Sequence, residues 1–186
     1  MTRTDLYEAL NYVDATRVKR TEMARLILDN SKLMPTLIDI AMVDDDPISC
    51  RACWVLEFTI KKDLSLIFPY LNKFTARLGD VHLDSSVRPI AKICEILVEA
   101  YFSKNNSAIQ EKLTMDQLER IATACFDWLI GDHKVAAKAY SMTSLLLLGR
   151  KFSWVLPELK MVLEQNYANG SAAYKARARM TLAKIK

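Results

Sequence analysis

One seven-residue string recurs three times and constrains the fold more than any other feature of the chain. Ser31-Lys32-Leu33-Met34-Pro35-Thr36-Leu37, Ser65-Leu66-Ile67-Phe68-Pro69-Tyr70-Leu71 and Ser153-Trp154-Val155-Leu156-Pro157-Glu158-Leu159 share a Ser, two apolar residues, a Pro and a Leu in one register. Pro35 and Pro69 lie 34 residues apart. Pro69 and Pro157 lie 88 apart, which leaves room for one degenerate copy at a step of about 44 residues. A period of this size built from helices predicts stacked helical hairpins rather than a closed globule.

The punctuation between the copies supports helices throughout, because the glycines and most prolines fall at expected helix ends. Residues 4–13, with Thr4 as cap, predict a first helix. Residues 15–29 predict a second, with Val18, Met23, Leu26 and Ile27 as its apolar stripe and Arg17, Lys19, Arg20, Glu22 and Arg25 largely opposite. These two make an N-terminal capping pair, residues 1–30. Ser31 then caps a helix to about Val43. Asp46 as cap and Pro47 as first helical residue begin another, to about Lys62. Ser65 opens the next, closed by Gly79 at a C′ position. Ser86 caps a helix to about Phe102, with Pro89 in its first turn where a missing donor is tolerated. Ser103 to Ser107 reads as loop, and Thr114 to Trp128 is the degenerate copy without proline. Helices over 133–148, from Ser153, and from Ser171 to Ile185 complete five pairs, the last being a basic capping helix, residues 171–186. The predicted fold is an all-α, right-handed α-α superhelix forming a single domain, residues 1–186.

Composition limits the function classes. Half of the residues are apolar, at 51%, and Gly and Pro number only four and five, which excludes disordered and collagen-like chains. The N-terminus is polar and has no apolar core of a secretory signal. The run Leu145 to Leu148 is far short of the ~20 residues of a membrane span. Four cysteines without an export signal predict reduced thiols in a cytoplasmic protein. The net charge is +4, and Lys175, Arg177, Arg179, Lys184 and Lys186 at the end of the chain account for it. A nucleic-acid groove needs positive charge spread along several repeats. The terminal cluster reads more simply as the polar outer face of an end repeat, or else as a patch for partner acids.

Met34-Pro35-Thr36-Leu37, Phe68-Pro69-Tyr70-Leu71 and Leu156-Pro157-Glu158-Leu159 resemble the first helix of HEAT repeats, which bends at its Pro. Asp46 to Arg51 and Asp84 to Val87-Arg88 resemble their Asp-rich turn and the second-helix start, with Asp132 to Val135 a weaker match. The resemblance covers roughly residues 31–186. It departs from the pattern in the fourth pair, which lacks Pro, and at Gly170, which stands where Asp is usual. The stretches around Arg51–Phe58, Ser86–Glu95 and Cys125–Asp132 are also similar to short HEAT-like bacterial proteins, some of which carry the name adenylosuccinate lyase. That lyase family has subunits more than twice this length and a Ser-Ser-x-Met-Pro-x-Lys-x-Asn loop, and no such string occurs here.

No catalytic constellation is legible. Cys50 and Cys53 form a lone C-x-x-C, with too few partners for a zinc site, so packed structural thiols are expected. His82 and His133 fall in turns. Asp44-Asp45-Asp46 lacks the spaced ligands and glycine of a calcium loop, so capping is expected. Trp54, close to Arg51, Glu57 and Phe58, is the aromatic residue with most claim to a ligand, whereas Trp154 is expected to pack a repeat junction. Arg88, Lys92, Glu95 and Glu99 share one stripe, which reads as a solvated face with i,i+4 pairs. No phosphate loop, nucleophile elbow or HExxH string is present.

These readings predict a non-enzymatic scaffold without cofactor or metal, binding a protein partner along the concave surface of its second helices. The expected contact residues are Arg51, Trp54, Arg88, Lys92, Lys134 and Lys138. The resemblance also implies an alternative, since some HEAT-like proteins are alkylpurine DNA glycosylases; no motif of theirs maps here, so no catalytic residue is carried over. A lyase of the kind named above is the remote alternative.

Overall fold

The computed structural model describes residues 1–44, 47–104 and 107–185. The expected cap Asp46 therefore lies outside the described residues, as do Asp45, Asn105, Asn106 and Lys186. Among the described residues there are eleven α-helices and no strand. They are α1 (Arg3–Leu10), α2 (Arg17–Asp29), α3 (Met34–Ala41), α4 (Pro47–Lys62), α5 (Leu71–Thr75), α6 (Asp84–Phe102), α7 (Ser107–Lys112), α8 (Met115–Ile130), α9 (Val135–Leu148), α10 (Val155–Tyr167) and α11 (Ala172–Leu182).

The chain divides into two compact units, Met1–Ile93 and Cys94–Lys186. In the first, α4 packs on α2 and α3, and α1 packs on α3 and α4. In the second, α9 packs on α8, α10 and α11, while α10 also touches α8 and α11. Within each unit one helix, α4 or α9, thus packs on both a sequence neighbour and a helix two places away. Leu10, Ile27, Leu37, Leu56 and Phe74 are fully buried in the first unit, and Leu118, Ile121, Met142, Leu145 and Leu159 in the second. Burying a side chain of this kind contributes about 1.5–3 kcal/mol.

Two of the three string copies occupy matching settings, and the Pro69 copy differs. Pro35 and Pro157 lie in the first turns of α3 and α10, and Pro69 lies in the 3-10 turn Leu64–Tyr70 that runs into α5. At the starts of α3 and α10 the missing N–H has no helical acceptor to lose, whereas Pro69 lies inside its 3-10 helix. The apolar residues two before and two after each Pro are buried in all three copies: Leu33 and Leu37, Ile67 and Leu71, Val155 and Leu159. Val155 and Leu159, both in α10, share one helix face, whereas Leu33 and Ile67 are buried from the 3-10 turns before α3 and α5.

Several boundaries differ from the sequence reading. Thr2, not Thr4, caps α1, because Asp5 completes a capping box with it. Ser31 and Ser153 cap nothing; a 3-10 turn, Ser31–Leu33, precedes α3, and α10 starts after Trp154 with no side-chain cap. Asp63 caps in place of Ser65, its Oδ1 accepting from Ser65 N at 2.9 Å and Ser65 Oγ at 2.6 Å. Ser86 is buried inside α6 and donates to Cys50 Sγ at 3.3 Å. No described glycine has positive φ, so Gly79 is not a left-handed C′ residue; it sits in the 3-10 turn Leu78–Asp80. Gly149 is required for space instead, since a Cβ there would stand 2.3 Å from Leu156 Cγ. The short helix α7 follows the expected loop, residues 103–107, in a stretch to which the sequence reading assigns no helix, and the buried Ile109 anchors it.

Candidate functional site

Trp54, Phe58 and Lys61 recur every three or four residues on α4 and therefore share a stripe. Within that stripe Glu57 is 1% exposed. A carboxylate at that depth needs compensation. Arg88 supplies it from α6, its Nη2 donating to Glu57 Oε2 at 2.7 Å and its Nη1 to Oε1 at 3.4 Å. Lys61, one turn on, bonds Oε1 as well.

Two further residues build the rim. The Trp54 indole N–H donates to the Ser85 carbonyl at 2.8 Å. That carbonyl is the one a helical N–H at position 89 would take, and position 89 is proline. Arg20 reaches over from α2. Its guanidinium carbon stands 4.9 Å from the Phe58 ring centroid and 5.8 Å from that of Trp54. Arg20 donates only to the carbonyls of Thr16 and Ala15, and it has no carboxylate partner among the described residues. Burial lowers its pKa, and the nearby Arg88 charge lowers it further. Three cations, Arg20, Lys61 and Arg88, thus surround one buried carboxylate beside two half-buried aromatic rings.

The structure assembles only part of the expected set. Trp54 and Arg88 are members of this cluster. Lys92 is half-buried one turn further along α6. Arg51 serves the fold, donating to the Asn11 carbonyl at 2.9 Å and so satisfying the end of α1. Lys134 and Lys138 belong to the second unit. Lys134 is exposed before the first turn of α9, and the Lys138 ammonium stands 6.0 Å from the Tyr174 ring centroid. The stripe Arg88, Lys92, Glu95, Glu99 is not a uniformly solvated face: Glu95 is 4% exposed, with Arg177 Nη2 at 4.0 Å from its Oε1.

The sequence reading missed Arg20, whose place over the rings depends on how α2 packs against α4. It also missed the part played by Lys61, although Glu57 and Lys61 form a visible i,i+4 pair. The other candidates are structural. All four cysteines are buried, and Cys53 Sγ contacts the Ala41 carbonyl at 3.1 Å. Asp44 adopts φ of 58° and accepts from the backbone N–H of His82 and of Leu83, so it ties two turns together. Trp154 packs against Phe126 with ring centroids 5.6 Å apart. Among the described residues no three His, Cys, Asp or Glu side chains come together as metal ligands would, and no helix is long and apolar enough to cross a membrane.

Comparisons with protein-family models, curated proteins and solved structures find no match for this chain.

Proposed function

We propose that the chain is a HEAT-like α-solenoid scaffold, without enzymatic activity, that binds an acidic segment of a protein partner on the α2–α4–α6 face of its first unit. The solenoid reading is supported by the packing of α4 on α2 and α3 and of α9 on α8, α10 and α11, and by the matching settings of Pro35 and Pro157. The observation that carries the binding reading is the surplus of positive charge: Arg20, Lys61 and Arg88 face one carboxylate, Glu57. A carboxylate from a partner would relieve that surplus, and Trp54 and Phe58 supply the kind of aromatic anchor that dominates interface energetics. Charge-assisted hydrogen bonds to a carboxylate contribute about 1.5–3 kcal/mol each.

The same cation–aromatic pairing favours a second reading, a single-stranded nucleic acid stacked on Trp54 and Phe58. Fluorescence anisotropy separates the two, with a labelled Glu-rich peptide and a labelled single-stranded oligonucleotide as probes. Peptide binding that Arg20→Glu abolishes supports the scaffold. Oligonucleotide binding that falls steeply with salt supports the alternative. If neither probe binds at low salt, this face is not a binding surface for acidic ligands.

A further inference from the structure

In the second unit α10 and α11 pack on each other and on α9. Val155, Leu159, Val162 and Leu163 turn inward on α10, and Tyr174, Ala178 and Thr181 on α11. Helical geometry then turns Met161, Glu164 and Ala168 outward on the first helix and Ala176, Arg179 and Ala183 outward on the second, and all six are exposed. The two stripes share one spacing, three residues and then four, which is that of a seam made to pack on a further helix. Each has a charged residue at its middle, an acid on α10 and a base on α11. Between them lies an open recess of about 370 Å³, lined by Glu164, Tyr167, Arg179 and Leu182. Two large apolar side chains border it, Met161 at 44% and Met180 at 56% exposure. The charges of the face are poorly matched within the chain. Arg179 has no carboxylate partner among the described residues, and Glu164 has only Lys160, with Nζ at 4.0 Å. Arg177 turns the other way, toward Thr143 and Glu95.

We propose that this face is a two-fold contact between two copies of the chain, with α10 of each copy lying antiparallel on α11 of the other. Charge complementarity selects a second copy as the occupant. Antiparallel pairing of the two stripes sets Glu164 of one copy opposite Arg179 of the other, and the two-fold axis repeats the pair. Pairing α11 with α11 would bring Arg179 near its own copy on a helix that carries no acid, and pairing α10 with α10 would do the same with Glu164. Only the crossed arrangement matches both charges. The alanines leave room for a second helix to approach closely, and Met161 and Met180 supply adaptable apolar contact. A contact of two helices from each copy lies at the small end of stable interfaces, so a roughly micromolar dissociation constant is expected.

The test is sedimentation equilibrium of the full chain over roughly 1 to 200 µM, a range that spans such a constant. The average mass should rise from that of one chain to that of two and stop there. Glu164→Arg and Arg179→Glu each set like charges against each other across the contact, and each should weaken association roughly tenfold or more. Both positions are exposed, so circular dichroism should show unchanged helix content in the variants. Combining the two reversals swaps the signs and should recover most of the wild-type association. The mass of one chain at every concentration would overturn the proposal, as would growth beyond two chains. So would a dimer that neither single reversal weakens, or a double variant that stays as weak as the single ones.

Discussion

The Trp54 indole donates at 2.8 Å to the Ser85 carbonyl, whose helical partner is removed by Pro89 four residues on. A proline well inside α6 would otherwise leave an acceptor without its ladder bond. The aromatic ring at the centre of the candidate surface is thereby fixed by a backbone gap on the neighbouring helix.

This coupling is measurable. Trp54→Phe removes one hydrogen bond and should cost about 1 kcal/mol beyond the change in packing. Pro89→Ala restores a donor to Ser85, so the Trp54→Phe penalty should shrink by about 1 kcal/mol in the Pro89→Ala background. Additive effects in urea unfolding of the four proteins would show that the two residues do not share the carbonyl.

The pair Glu57–Arg88 predicts asymmetric costs. Glu57→Ala leaves Arg88, Lys61 and Arg20 close together without their carboxylate, and should lower stability by roughly 3 kcal/mol. Arg88→Met should cost less, because Lys61 still compensates Glu57. Equal losses in thermal unfolding would contradict this division of labour.

Two glycines should respond oppositely to a methyl group. Gly149→Ala drives Cβ against Leu156 and should cost about 1–3 kcal/mol. At Gly79 a Cβ meets nothing within 4 Å and φ is negative, so Gly79→Ala should be neutral or stabilising by a few tenths of a kcal/mol. A strongly destabilised Gly79→Ala would show that this turn needs glycine for its backbone after all.

Burial raises the thiol pKa of Cys53 and Cys94, and pushes that of Cys125 up to about 12. A group whose pKa is higher in the folded state stabilises the fold below its unfolded pKa and loses that contribution as pH rises. Unfolded thiols titrate near pH ~8.5, so stability should decline above that pH, by up to about 1.4 kcal/mol per pH unit for each thiol. Native protein at pH 8 should react with a thiol reagent only slowly, and replacing Cys53, Cys94 and Cys125 together should flatten the alkaline limb. An unchanged limb in the triple variant would refute the assignment.

The burial of the string's apolar residues was readable because its physics is local: Leu33, Leu37, Ile67, Leu71, Val155 and Leu159 flank their prolines in one sequence pattern and are all buried. Caps were less readable, since a Ser before a helix competes with any nearby carboxylate, and Asp63 outcompetes Ser65 as acceptor. Trp54 and Arg88 were legible as an aromatic and a basic residue on long predicted helices, and the fold brings them into one cluster. Arg20 was not, because its neighbours come from a different helix, α4, and no spacing in the chain encodes them. Arg51 looked like a surface cation, and only the fold shows the α1 carbonyl it satisfies.

The most direct measurement of the central claim is cross-linking capture of a partner, read by mass spectrometry, with wild type and a folded Arg20→Glu/Lys92→Glu variant. The account predicts cross-links from acidic partner segments to Lys61 and Lys92 in the wild type, and at least a tenfold loss of capture in the variant. Equal capture by both proteins, or cross-links confined to other helices, would contradict it.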